Sequence, residues 1–207
     1  AMLLLKGHRS GKSVHSIAFA PDGATLASAC IDDTVRLWDL GTGAGRVVST
    51  SRDIYLHAVA FSPDGKTLAW GFENNVRLLN LASGRGKTVR TGWDGVGLTV
   101  RYSPDGRFLA AVGKSVHLWD AATCRPLPVV EETTPATSCL AFSPDGRTLA
   151  VGHALQRPRG GYHHFINLRD PATGAERRAI HGTRGTATAL AFAPDGHTLA
   201  AACGQHL

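Results

Sequence analysis

Two groups of residues in this 207-residue chain have types and spacings that could do chemistry. The first is the stretch VGHALQRPRGGYHHFINLRD, from Val151 to Asp170. It gathers His153, His163 and His164 with Arg157, Arg159, Tyr162 and Arg169 around a break at Pro158, Gly160 and Gly161. Imidazoles can ligate a metal, whereas arginines beside a tyrosine suit a protein surface or a nucleic acid. The second group is His8, Ser28 and Asp32, the residue types of a nucleophilic triad.

Both enzymatic readings lose ground on inspection. Ser28 lies in the apolar run TLASAC, with no G-x-S-x-G elbow to present its hydroxyl. Adjacent His163 and His164 would point to opposite faces of a strand, and no carboxylate or thiol stands near them, so no metal is expected. A P-loop, a dinucleotide fingerprint and a paired carboxylate cluster are all missing, so the expectation is no catalysis and no cofactor. Cys30, Cys124, Cys139 and Cys203 are scattered without a C-x-x-C pair and read as small apolar residues in a reducing, cytoplasmic setting. The excess of 22 basic over 16 acidic residues is spread along the chain without a basic run. No apolar window approaches the roughly 18 to 20 residues of a membrane span.

The elements that must position these residues repeat. FAPDG, FSPDG, YSPDG, FSPDG and FAPDG begin at Phe19, Phe61, Tyr102, Phe142 and Phe192, with their prolines 42, 41, 40 and 50 residues apart. In step run VRLWD, VRLLN, VHLWD and INLRD, ending at Asp39, Asn80, Asp120 and Asp170. Proline pre-sets φ at the first corner of a type I turn, and glycine accepts the left-handed conformation that follows, so each Pro-Asp-Gly predicts a hairpin. The preceding runs alternate, the following ones (TLASAC, TLAWGF, FLAAVG, TLAVGH, TLAAAC) are apolar throughout, and none has helical period. Four short strands per unit, here called a to d, cannot bury both faces alone, so neighbouring units must stack.

Gly7-His8, the five Pro-Asp-Gly turns and the Trp-Asp endings resemble the WD-repeat family of β-propellers over essentially the whole chain. The resemblance implies an all-β fold of four-stranded antiparallel blades. The units fall at 1–39, 40–80, 81–120, 121–170 and a partial 171–207, that is four complete repeats and a truncated fifth. MLLLK, from Met2 to Lys6, would be strand d of a preceding blade. About five repeats suggest an incomplete ring and a fragment, whose open edges favour self-association. The resemblance also assigns His8, Ser28, Asp32 and Trp38 to a structural hydrogen-bond network. Trp70, Ala111 and Val151 stand where the later units would carry Ser28.

The interval from turn proline to tryptophan position is 17, 16 and 15 residues in the first three units but 25 in the fourth, from Pro144 to Arg169. About nine extra residues therefore lie between LAVGH and FINLRD, so the insertion is expected to be a lengthened hairpin with a long b–c loop. In the family, b–c loops share a face with d–a connections, which places Glu131 and Glu132 near this insertion as internal partners for it. From Gly146 to Arg169 there is no acidic residue. Arg157, Arg159, Tyr162 and His163 are thus the expected partner-binding residues of a non-catalytic protein-interaction scaffold. A nucleic-acid-binding propeller using the same basic loop is the alternative.

Overall fold

A computed structural model describes residues 3–50, 56–91, 99–113, 115–128, 136–157, 160–183 and 185–204. Among them every regular element is a strand and none is a helix. The Pro-Asp-Gly turns explain why the strands start where they do. In the first, the Gly23 amide donates to the Ala20 carbonyl at 2.9 Å and the Ala20 amide to the Thr25 carbonyl at 2.8 Å. Gly23, Gly65, Gly106, Gly146 and Gly196 all adopt φ between 68° and 74°, which a side chain would strain. In the Ser-Pro-Asp-Gly copies the serine adds a lock. Ser62 Oγ donates to Asp64 Oδ1 at 2.6 Å while accepting the Thr67 amide at 2.9 Å.

The first sheet is β1 (Val14–Phe19), β2 (Thr25–Cys30), β3 (Thr34–Asp39) and β4 (Gly45–Thr50), each antiparallel to the next. The second repeats it with β5 (Leu56–Phe61), β6 (Thr67–Phe72), β7 (Asn75–Asn80) and β8 (Gly86–Arg90). The aspartate closing each Trp-Asp strand organises the next turn. Asp39 Oδ1 accepts the Thr42 amide at 2.7 Å and the Thr42 hydroxyl at 2.8 Å, and Asp120 does the same for Thr123.

The third sheet is β9 (Thr99–Tyr102), β10 (Phe108–Val112) and β11 (Val116–Asp120). The sequence predicts a fourth strand at LPVVEE, and its described start pairs with β11 through the bridge from Trp119 to Pro126 and the Leu127 amide, which donates to the Leu118 carbonyl at 2.9 Å. The rest of that segment, from residue 129, lies outside the described residues. The fourth sheet, β12 (Ala136–Phe142), β13 (Leu149–Gln156), β14 (Tyr162–Arg169) and β15 (Glu176–His181), is again four-stranded and antiparallel. The hairpin β16 (Thr186–Phe192) and β17 (Leu199–Gly204) makes the last sheet. Residues 3–7 join no ladder, and Leu3 and Leu4 are exposed, so the strand expected in MLLLK is not formed there. A strand needs a neighbour for its amides and carbonyls, and among the described residues no strand pairs with residues 3–7.

The chain divides into two compact units, Ala1–Val100 and Arg101–Leu207, the division falling within β9. In the first unit, Ala27, Ala29, Val35 and Leu37 of the first sheet pack on Val59, Phe61, Leu68 and Trp70 of the second. In the second unit, Ala110, Val112 and Leu118 pack on Leu140, Leu149 and Val151. Ala150 and Ile166 pack on Ala187, with Leu190, Phe192 and Leu199 around them. Small residues recur on one side of these interfaces, Ala27 and Ala29 in the first and Ala110 and Ala150 in the others. Removing one large partner, such as Leu68, costs about 2 to 5 kcal/mol.

Candidate functional site

The extra residues of the fourth unit do not form a loose loop. β13 and β14 are eight residues each and stay paired from Leu149↔Arg169 out to Gln156↔Tyr162. On the β14 side the flanking strand stops earlier, β15 reaching only Phe165 through His181, so His163 and Tyr162 lie beyond its end. On the β13 side the described part of β12 pairs up to Ala136↔Ala154. At the tip the Arg157 amide donates to the Gly161 carbonyl at 2.9 Å, and the Gly160 amide to the Arg157 carbonyl at 3.1 Å. Gly160 and Gly161 have φ of 86° and 78°, two consecutive left-handed residues that explain the Gly-Gly pair.

Strand alternation sends the aromatic residues to two faces. On one, Tyr162 is 47% exposed and stacks on His164 at 6.1 Å, whose Nδ1 lies 3.3 Å from Thr186 Oγ1. On the other, His163 stacks on His181 at 5.3 Å with planes 6° apart, and leans on Phe165 at 5.4 Å. Phe165 in turn stacks on His153 at 5.0 Å. His153 is fully buried, and burial, opposed only by the charge of Glu176, pushes its imidazole down to about 4. It is a neutral core residue at neutral pH.

The partner-binding candidates are thus distributed unevenly. Arg157 and Tyr162 are exposed at the projecting end, and His163 is half-buried in the cross-strand stack. Arg159, Glu131 and Glu132 lie outside the described residues. Arg169, at the tryptophan position, is buried, donates from Nη1 to the Gly174 carbonyl at 3.1 Å and lies 3.8 Å from Glu176. Burial lowers its pKa, and Glu176 opposes that. His181 was beyond the reach of motif reading because it sits 18 residues from His163. The Phe165↔His181 register is what joins them.

His8, Ser28, Asp32 and Trp38 are brought together in the first sheet. His8 Nδ1 lies 2.9 Å from Asp32 Oδ2, His8 Nε2 lies 2.7 Å from Ser28 Oγ, and Trp38 Nε1 donates to Ser28 Oγ at 2.8 Å. The set is consistent with a δ-protonated imidazole donating to Asp32 and accepting the serine hydroxyl. The distances are those of a hydrolytic triad, but Ser28 is 3% exposed and its oxygen already accepts the indole N–H. A substrate could not reach it. Burial opposes ionisation of Asp32. Hydrogen bonds from Thr34, the Arg9 amide and His8 outweigh it and hold the carboxyl well below the usual range.

Cys30 completes this cluster, and the sequence reading missed it as a neighbour. Its thiol, His8 and Asp32 offer ligand atoms within 4.8 Å of one another. Burial raises the thiol's pKa, with the nearby Asp32 charge adding to that, so a thiolate is disfavoured. Both His8 nitrogens are already engaged, and a metal would have to break those bonds. The alternation that places Cys30 two residues from Ser28 on one strand was the available signal.

No helix among the described residues is long and apolar enough to cross a membrane. A family model described as WD domain, G-beta repeat matches residues 2–39 and 46–120, more than half of the chain. The match spans the first three sheets and stops short of the projecting hairpin. No match is found among curated proteins.

Proposed function

The chain belongs to the WD-repeat family, and from that premise we propose that it is a non-catalytic scaffold that docks a protein partner on its β13–β14 hairpin. WD repeats generally serve as protein–protein interaction scaffolds. Their fold says nothing about the partner, which is recognised by the residues the blades carry. The observation that supports the hairpin is its projection as a paired, aromatic-rooted arm ending in exposed Arg157 and Tyr162. A rigid arm loses little conformational entropy on binding, and arginine and tyrosine are enriched at interface hot spots. Arg157, Arg159, Tyr162 and His163 are the proposed contact residues, with His163 acting from the stack that stiffens the arm. The reading also has the chain working in the cytoplasm, where Cys30, Cys124, Cys139 and Cys203 stay free.

Site-specific replacement of Tyr162 by a photo-crosslinking phenylalanine analogue tests this. The expected result is one dominant protein adduct that persists at 0.5 M salt and disappears with Arg157→Ala. Adducts to nucleic acid that fall steeply with salt would support the alternative reading instead. Absence of any adduct, with a control site on β4 equally silent, would count against docking here. A fluorophosphonate probe should leave Ser28 unlabelled, because its hydroxyl is enclosed.

A further inference from the structure

The repeat lets each position be compared with itself, and one set of side chains is joined in the fourth sheet but open in the first. Seven residues after the aspartate that ends strand c, both units carry arginine, Arg46 after Asp39 and Arg177 after Asp170. Four residues after the turn proline both carry threonine, Thr25 and Thr148. In the fourth sheet Arg177 Nη2 donates to Asp170 Oδ2 at 2.6 Å and Nη1 to Thr148 Oγ1 at 3.3 Å. In the first, among the described residues, neither the Thr25 hydroxyl nor the Arg46 guanidinium makes a hydrogen bond or ion pair. Asp39 is engaged only through Oδ1, which accepts the Thr42 amide and hydroxyl. Register accounts for the difference. In β15, Glu176 stands opposite Arg169 and Arg178 opposite Leu168, so Arg177 is an extra residue, and the bulge turns it onto Asp170. In β4, Arg46 stands directly opposite Leu37, on the face that Leu37 shares with Asp39 and Thr25.

The open groups line a pocket of about 400 Å³ within the first compact unit. Its apolar wall is Leu37 and Phe61, both buried, with half-buried Leu81. Its charged lining is Asp22, Asp39 and Arg46. The Thr42 hydrogen bonds lower the Asp39 pKa, so this side chain is a carboxylate at neutral pH. A cation and a carboxylate held apart beside an apolar wall are complementary to a molecule that carries both charges close to an apolar group. We propose that the pocket binds a free α-amino acid with an apolar side chain. Arg46 takes its carboxylate, with the Thr25 hydroxyl as a second donor, Asp39 Oδ2 takes its ammonium, and its side chain lies on Leu37, Phe61 and Leu81. The volume sits at the small end of the range for small-molecule sites, about 300 to 1,000 Å³. A peptide terminus offers one of the two charges and leaves the other group unmatched. The pocket shares no residue with the hairpin, and neither claim rests on the other.

Saturation-transfer NMR titrations with L-leucine, L-leucinamide and N-acetyl-L-leucine test this, since each derivative lacks one charge. L-Leucine is expected to saturate one site with a Kd on the order of 1 mM or below, and each derivative to bind at least about 10-fold more weakly. Arg46→Gln should weaken leucine binding by at least about 10-fold, whereas Arg177→Gln, in the joined set, should leave it unchanged. Both positions are exposed, so folding is expected to survive, and urea unfolding matching the parent's checks it. No saturable leucine binding by the parent up to about 20 mM would overturn the proposal, and would mean that Asp39 and Arg46 close on each other as Asp170 and Arg177 do. Leucinamide binding as tightly as leucine would also overturn it, because apolar capture alone would then suffice. So would undiminished binding by Arg46→Gln, or equal loss in both variants, which would place leucine elsewhere.

Discussion

The first and fourth sheets share strand order and turn chemistry yet solve the same packing problem by different means. The first ties β2 and β3 to the segment before β1 through His8, Ser28, Asp32 and Trp38. The fourth has Val151 in place of the serine and Arg169 in place of the tryptophan, and relies on the His153–Phe165–His181 stack and buried aliphatics. A satisfied polar network specifies one arrangement and leaves no room for change at any member. Aromatic and aliphatic packing tolerates a lengthened hairpin, because adding ladder pairs disturbs no network. The sheet that carries the new arm is one of three without the polar hub, since Trp70 and Ala111 take the serine's place in the second and third.

The largest expected effect breaks the hub. Asp32→Ala leaves His8 and the Arg9 and Thr34 donors without their acceptor, and should cost about 3 kcal/mol in urea unfolding of the whole chain. A cost below about 1 kcal/mol would mean that the first sheet is held by packing alone, like the fourth. Second comes pH. His153 has a folded pKa near 4, below its ordinary value of about 6.5, so the unfolded chain binds the proton more readily between the two. Stability is then complete above about pH 6.5 and falls as pH drops toward 4, by about 2 kcal/mol between pH 7 and pH 5. Asp32 behaves differently. Its depressed pKa contributes stability above about pH 4 that is lost only at more acidic values. Hydrogen exchange should therefore show the fourth sheet loosening at pH 5 while the first stays protected, and His153→Leu should flatten that difference.

A smaller effect is expected at Arg169. Replacing a buried, partly paired guanidinium with an apolar side chain of similar length is often neutral, so Arg169→Met should change stability by no more than about 1 kcal/mol. The equivalent Trp38→Met in the first sheet should cost more, since it strips the indole donor from Ser28. The smallest effect belongs to the arm. Arg157→Ala and Tyr162→Ala, both exposed, should each alter unfolding by less than about 0.5 kcal/mol.

Much of this architecture could be read from residue order. The five Pro-Asp-Gly turns and the Trp-Asp endings mark strands a, b and c because glycine with positive φ and a turn-capping aspartate leave few alternatives. What could not be read depended on partners distant in sequence. Of LPVVEE only Leu127 and Pro128 are described, and there the Leu127 amide donates to the Leu118 carbonyl at 2.9 Å. MLLLK has strand composition, but among the described residues no strand pairs with its residues 3–6. The insertion was located by arithmetic and read as a lengthened hairpin, and the β13–β14 ladder agrees; the cross-strand stacks at His163 and His153 are what only register reveals. Cys30 beside His8 and Asp32 was hidden for the same reason.

The division of labour between a repeat that makes the fold and an arm that makes the contact is tested most directly by trimming the arm in register. Replacing Gln156–Tyr162 with Asn-Gly would close a two-residue turn on the pair Leu155↔His163. The account predicts unfolding free energy within about 1 kcal/mol of the parent and loss of the protein captured by the photo-crosslinking arm, when that partner is assayed by direct titration. Unfolding of the trimmed chain, or undiminished affinity for the captured partner, would contradict it.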